Sequence, residues 1–240
     1  MLTPPLARRA LAEGLGTAFL LAAIVGSGIA ASRLSPGDAG LQLLESAVAT
    51  GAALVAILCA LGPVSGAHLN PVVTLVDRWF GGISSRAAAV YIAAQMFGAV
   101  LGVVVANLMF DLDPVEWSTK SRDSGGQAVA EAVAMLGLLL VIFGVARSRR
   151  RTAAPFAVGA YITAAYFFTS STSFANPAVT VARMLTRTFA GIAPASVPGF
   201  LGGQVVGAVV AVGVIAVLYP GARDVAADLV VPHNAEDVAA

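Results

Sequence analysis

Five stretches of this chain, 46–76, 87–110, 132–146, 152–182 and 188–222, contain no Asp, Glu, Lys or Arg, and a sixth, 10–31, contains only Glu13. Runs of this length match the about 20 apolar residues that a helix needs to cross a bilayer. Composition agrees: 58% of the residues are hydrophobic and 11% charged, against roughly 25% charged in soluble domains. The chain therefore reads as an integral membrane protein. Residues 10–31 run beyond the about 7–15 apolar residues of a signal-peptide core and carry Glu13, so a removable leader is not expected. The single cysteine, Cys59, excludes an intramolecular disulfide and a multi-cysteine metal site. It reads as a small apolar core residue on a spanning helix.

Full spans are expected near 9–31, 41–61, 86–109, 127–146, 155–172 and 197–218. Two short apolar segments remain, 69–80 and 175–186, and each opens at an Asn-Pro. Proline suits the first helical turn, where its missing N–H would have had no partner. The preceding Asn is a natural N-cap. Both segments therefore read as half-helices that begin at mid-membrane depth, fed by re-entrant loops. Irregular backbone at that depth is tolerated only inside protein or along a wet cavity, so a pore or binding cavity is implied.

The two halves of the chain repeat one another. "LAEGLGTAFLL" (11–21) parallels "VAEAVAMLGLL" (129–139), matching Glu13 to Glu131. "HLNPVVTLVDR" (68–78) parallels "FANPAVTVARM" (174–184), and "AQMFGAV" (94–100) parallels "GQVVGAV" (203–209), matching Gln95 to Gln204. Three spans per half force opposite orientations, and an inverted repeat with paired interrupted segments points to a site at the midplane. An even span count puts both termini on one side. That side holds Arg8, Arg9, Arg78, Arg86, Arg147, Arg149, Arg150, Arg151 and Arg223; the other holds Arg33, Lys120, Arg122, Arg183 and Arg187. Nine against five places the termini in the cytoplasm. The block "RSRRR" (147–151) reads as a topology anchor, and the tail 219–240 as a polar, partly disordered cytoplasmic end.

Two half-helix N-termini facing each other supply about half a positive charge apiece. Asn70 and Asn176 cap their helices and offer amide donors, so the site donates hydrogen bonds and repels cations. Glu13 and Glu131 lie inside spans, where a carboxylate is costly unless paired or functional. A structural role is expected, accepting from re-entrant backbone and from Ser65, Ser171 or Thr172; no His or Asp chain accompanies them to make a proton relay. His68 is read as a ring satisfied by loop backbone, with gating as the alternative. No nucleophile–base pair or metal constellation is present, so no enzyme activity, cofactor, metal site or nucleic-acid partner is expected.

The two Asn-Pro motifs, "SGAHLNPVVT", the Ala-Glu starts of the first and fourth spans, and the paired Gln-x-x-Gly-Ala signatures resemble the aquaporin family over roughly 10–218. The resemblance implies an all-α membrane fold: a right-handed bundle of six transmembrane helices plus two re-entrant half-helices. It further implies one pore per subunit, a homotetramer, membrane lipid as surroundings, and water and small neutral solutes as partners. Asn70, Pro71, Val72, Asn176, Pro177 and Ala178 would be the midplane motifs, whose helix dipoles exclude protons and cations in pores of this type. Val72 departs from the family's alanine and puts the pore shape there in question.

The resemblance also implies a second constriction, counted from the two asparagines: Thr50, Ala164, Ser173 and Val179. Val179 stands where most relatives carry arginine. Four small side chains, none aromatic or charged, predict a wide filter that passes uncharged solutes larger than water: glycerol, urea and metalloid hydroxides such as arsenous acid. Arg183 lies one turn further out, on the face shared by Asn176, Val179 and Arg187. It would line the outer vestibule and restore some positive field, or else enter an ion pair or reach for headgroups. Asp77 is its inner counterpart. The alternatives are a water-selective channel narrowed by backbone or by Phe167 and Phe168, and an ion-coupled secondary transporter. A bacterial inner membrane is the expected location.

Overall fold

The computed structural model describes residues 4–147 and 151–220. Residues 148–150 and 221–240 lie outside the described residues; the expected disorder of the tail, and Arg149, Arg150 and Arg223 of the orientation argument, fall there.

Among the described residues eight α-helices carry the fold: α1 (Leu6–Leu34), α2 (Ala39–Ser65), α3 (Pro71–Phe80), α4 (Ser85–Met109), α5 (Gly125–Arg147), α6 (Ala154–Phe168), α7 (Pro177–Ala182) and α8 (Val197–Leu218). Local chemistry sets their limits. Asp38 caps α2 by accepting from the Leu41 N–H, and Ser84 caps α4 by accepting from the Ala87 N–H. Gly66 and Gly81 close α2 and α3 at φ values of 90° and 93°, a left-handed conformation that costs glycine little.

One expected span is shorter than its charge-free run. The run 155–172 ends as helix at Phe168, leaving α6 with 15 residues. Thr169 turns extended at φ −112°, ψ 133°, and its hydroxyl donates back to Ala165 O. Thr172 and Ser173 then take φ values of 62° and 49°. Hydropathy could not mark that exit, because the re-entrant loop is as uncharged as the helix before it. The second half-helix is shorter too: α7 has six residues and passes into a tight 3-10 turn over Arg183–Leu185.

The halves pack alike. In the first, α1 lies against α2 and α4; in the second, α5 lies against α6 and α8; α2 meets α6 and α3 meets α7 across the repeat. Lipid removes most of the hydrophobic incentive for helices to associate, so small residues permit close backbone contact instead. A Cβ on Gly98 would overlap Gly14 O, and one on Gly207 would overlap Ala132 O, at equivalent points of the repeat. Each pair adds a second close approach one turn away, at Gly102 over Ala18 and Gly203 over Ala128. Large apolar side chains such as Phe19, Phe97 and Val209 face outward, as a bilayer or neighbouring subunit requires.

Candidate permeation site

The two re-entrant loops are held by the two buried glutamates. Glu13 accepts from the backbone N–H groups of His68 (2.9 Å) and Leu69 (2.8 Å), from the Ser65 hydroxyl (2.7 Å) and from Gln95 Nε2 (2.7 Å). Glu131 accepts from the N–H groups of Phe174 and Ala175 (both 2.8 Å) and from Gln204 Nε2 (2.6 Å). The glutamines in turn donate to Thr74 and Thr180, one turn into each half-helix. Loop residues at equivalent positions, Ala67 with Ser173 and Leu69 with Ala175, sit at φ between 43° and 51°. Such left-handed non-glycine backbone costs on the order of 1–3 kcal/mol per residue and persists only where its surroundings over-determine it. The carboxylate bonds do so here.

Both asparagines cap as their position suggests. Asn70 Oδ1 accepts from Val72 N–H (3.0 Å), and Asn176 Oδ1 accepts from the N–H groups of Ala178 (2.9 Å) and Val179 (3.3 Å). Their amides also lock the loops to each other. Asn70 Nδ2 donates to Ala175 O and Asn176 Nδ2 to Leu69 O, both at 2.7 Å. Each NH2 keeps a second hydrogen for the cavity. Sequence spacing carried no signal of this cross-tie, which exists only once the two halves face each other.

A cavity of about 820 Å³ runs past both asparagines. Near one end it meets Pro4, Thr152 and Pro155; near the other it meets Thr50, Tyr166, Ser173, Val179 and Arg183. Three of the four expected filter positions therefore line it. Ala164 does not: it is exposed on α6, and Tyr166 stands on the cavity wall instead, its hydroxyl donating to Thr50 Oγ1 at 3.2 Å. Counting from Asn176 fails here because the chain leaves helical geometry after Phe168, so residue spacing no longer tracks position on the wall. The expectation of four small, non-aromatic side chains is corrected accordingly. Phe167 and Phe168 are 52% and 55% exposed on the outer surface and do not narrow the cavity. Ser173 Oγ is buried without a hydrogen-bond partner among the described residues.

Other expectations are also revised. Val72 turns away from the cavity into a buried cluster with Met135, Leu139 and Phe143, so its bulk enters the core and Val73 lines the pore instead. Ala178 is fully buried, and Pro71 and Pro177 open their helices at the first turn. The His68 ring meets two side chains: Nδ1 lies 3.0 Å from Thr74 Oγ1, and Nε2 lies 3.5 Å from Asp77 Oδ2. Cys59 is exposed and lines the cavity, not the helical core. Arg183 is buried, donates through Nε to Ala190 O, and stacks its guanidinium 3.5 Å from the Phe174 ring centroid. Among the described residues it forms no ion pair, and its burial removes it from the headgroups.

The loop 110–124 packs over the end of the second half-helix. Glu116 and Ser118 donate backbone N–H groups to Leu185 O and Met184 O, and Ala193 N–H donates to Lys120 O. This carries Lys120 and Arg122 over the second half-helix. Burial, then the neighbouring Arg122 and Arg183, pull the Lys120 ammonium down to about 8. Burial likewise lowers Arg122 to about 10, against the opposing pull of Glu131 and then Tyr166.

Comparison with known proteins places this arrangement. The family described as Major intrinsic protein matches residues 1–174. Aquaglyceroporin AqpS of Rhizobium meliloti (strain 1021) is 49% identical over 220 residues, 92% of this chain and 94% of that protein. A probable NIP-type aquaporin of Nicotiana alata is 31% identical over 75% of this chain and 67% of its own length. The X-ray structure of the aquaglyceroporin from Plasmodium falciparum superposes with a TM-score of 0.66, covering 91% of this chain and 99% of that one. At 21% identity that likeness speaks for the fold alone. Half-helices that meet at two capping asparagines, a family match over residues 1–174 and a 49% identical relative matched over 92% of the chain make this protein a member of the major intrinsic protein family of membrane channels.

Proposed function

We propose that the chain is a passive channel for uncharged solutes larger than water, with glycerol and urea as its simplest cargo and neutral metalloid hydroxides such as arsenous acid as a further class, and that water also passes. The observation that carries this reading is Val179. It lines the cavity three residues after Asn176, where a guanidinium would stand in most relatives, and the next arginine along the chain is Arg183, just past the end of α7 and folded onto Phe174. The name aquaglyceroporin borne by the relative 49% identical to this chain points the same way.

Around Val179 the wall offers the Thr50, Ser173 and Tyr166 hydroxyls and the Tyr166 ring. A polyol sheds water on entering a narrow pore and needs replacement hydrogen bonds on one side and apolar contact on the other. Hydroxyls both donate and accept, so they suit a diol edge, while valine and the tyrosine ring suit its carbons. At the midplane the half-helix dipoles and the spare amide hydrogens of Asn70 and Asn176 turn the passing oxygen towards the amides. That orientation interrupts a proton wire. Glu13 and Glu131 act as loop staples in this reading and His68 as a supporting side chain.

The aromatic Tyr166 favours one second reading, a water-selective channel. Stopped-flow measurement in proteoliposomes separates the two. Glycerol, urea and arsenite shrink–swell responses above those of empty liposomes are expected, independent of proton or sodium gradients. Water flux with exclusion of all three would establish the second reading, and gradient-coupled uptake would establish a transporter. We further propose a homotetramer in a bacterial inner membrane with both termini cytoplasmic, on the strength of the outward apolar faces and the nine-to-five arginine and lysine asymmetry.

A further inference from the structure

A second cavity, of about 240 Å³, lies on the outer side of the pore and shares Tyr166 and Arg183 with the first. Three cations line it: Lys120, Arg122 and Arg183. Each is tied to the same strip of backbone. Lys120 Nζ donates to Phe189 O at 2.7 Å, Arg183 Nε donates to Ala190 O, and Arg122 Nε donates to Gly191 O at 3.1 Å. Three consecutive carbonyls thus orient three cations around one space. Aromatic rings back them: Lys120 Nζ is 4.3 Å from the Phe189 centroid, and both guanidiniums lie over Phe174.

No carboxylate is among the residues that line this cavity. Glu131 is close enough to attract Arg122 and Arg183, but both its oxygens are occupied by loop N–H groups and Gln204. Donors remain. The Arg183 Nη atoms and Arg122 Nη2 make no hydrogen bond to the described residues, and Lys120 has two further N–H bonds. Clustered cations with unused forked donors and no acid beside them are complementary to a compact anion with several oxygens. Ser46 and Thr172 bring hydroxyl side chains to the same wall.

We infer that the outer vestibule is a binding site for a small oxyanion, held by Lys120, Arg122 and Arg183, and that an anion seated there stands in the path of the solute. The site requires nothing of which neutral solute the channel passes. It gives the channel a sensitivity to anion concentration on the outer side, acting through occupancy rather than through movement of the chain.

Calorimetric titration of the purified full-length protein with inorganic sulfate, at constant ionic strength against chloride, tests this without any transport measurement. Sulfate keeps its charge between pH 6 and 9, so the anion does not confuse the reading. A saturable heat for sulfate over chloride is expected. Lys120→Gln should weaken binding about tenfold, the loss of one charge-assisted contact, and Lys120→Arg should restore most of it. Arg33→Gln removes a charge of the outer side whose guanidinium donates to Phe110 O away from the cavity, and should leave sulfate binding unchanged. No saturable heat, or equal weakening by Lys120→Gln and Arg33→Gln, would overturn the site. In proteoliposomes sulfate should slow glycerol flux over the same concentration range; binding without slowing would overturn its position in the solute path.

Discussion

The two re-entrant loops use one construction and end differently. Each begins with a glutamate fixing left-handed backbone, continues through an asparagine cap with a valine three residues on, and ties its first turn to a glutamine through a threonine. Seven residues after the asparagine the likeness stops: Asp77 in the first half, Arg183 in the second. Asp77 turns to His68 inside a helix of ten residues. Arg183 ends a helix of six, because a 3-10 turn there lets its carbonyl accept from Ile192 N–H and folds its side chain over Phe174. The shared part sets where the loops meet. The unshared part sets the two ends apart: Asp77 lies against His68, whereas Arg183 joins Lys120 and Arg122 around a second cavity whose lining holds no acid.

Removing the shared part should have the largest effect. Glu13→Leu or Glu131→Leu leaves at least two backbone N–H groups and a buried glutamine amide without their acceptor. At about 1–3 kcal/mol per buried unsatisfied group, either substitution should abolish recovery of folded protein or lower its thermal midpoint sharply, as read by size-exclusion fluorescence. Survival of either variant with unaltered stability would break the symmetry claimed here.

Next in size is the unshared position at the pore wall. Val179→Arg places a guanidinium at the level of Tyr166 and Ser173, and should cut glycerol and urea permeability on the order of tenfold to a hundredfold while water flux persists. That is the discrimination expected when a site gains bulk and fixed charge, about 1.4 kcal/mol per tenfold. Equal loss of water flux would mean that the cavity is already narrow.

A smaller effect is expected from the cross-tie. Asn70→Ala and Asn176→Ala each remove a helix cap worth about 1 kcal/mol and one loop-to-loop hydrogen bond. Similar losses of stability in the two variants, with proton leak measured by a pH-sensitive dye, would support equivalence of the halves. Tyr166→Phe removes only the bond to Thr50 Oγ1 and should change glycerol permeability a few-fold, the scale of about 0.5–1.5 kcal/mol.

The mildest perturbation is pH. Lys120 sits below the ordinary lysine value, at about 8, so its ammonium is present below that pH and lost as pH rises through it. The groups facing it from the packed elements are Arg122, Arg183 and Tyr166. Sulfate affinity should therefore fall by several-fold between pH 7 and pH 9 in the wild type and stay flat in Lys120→Gln. A flat wild-type profile would remove Lys120 from the site.

Sequence alone determined the membrane environment, the helix positions apart from the ends of α6 and α7, the inverted repeat and the two capping asparagines, because uncharged runs, Asn-Pro turns and paired glutamates act locally or through simple periodicity. It also located Thr50, Ser173 and Val179 on the cavity wall. It misplaced the fourth wall residue, Ala164 for Tyr166, because counting along a chain assumes a helix that in fact ends at Phe168. It read Val72 as pore shape and Cys59 as core, since neither the face a half-helix turns inward nor the wall a helix lends to a cavity is written in residue type. Only tertiary packing decided these, along with the Asn70–Ala175 and Asn176–Leu69 ties and the gathering of Lys120, Arg122 and Arg183 over three consecutive carbonyls. Apart from Arg183–Ala190, seven positions apart, those contacts join residues 69 to 107 positions apart, and they form when two oppositely oriented halves close on a common axis.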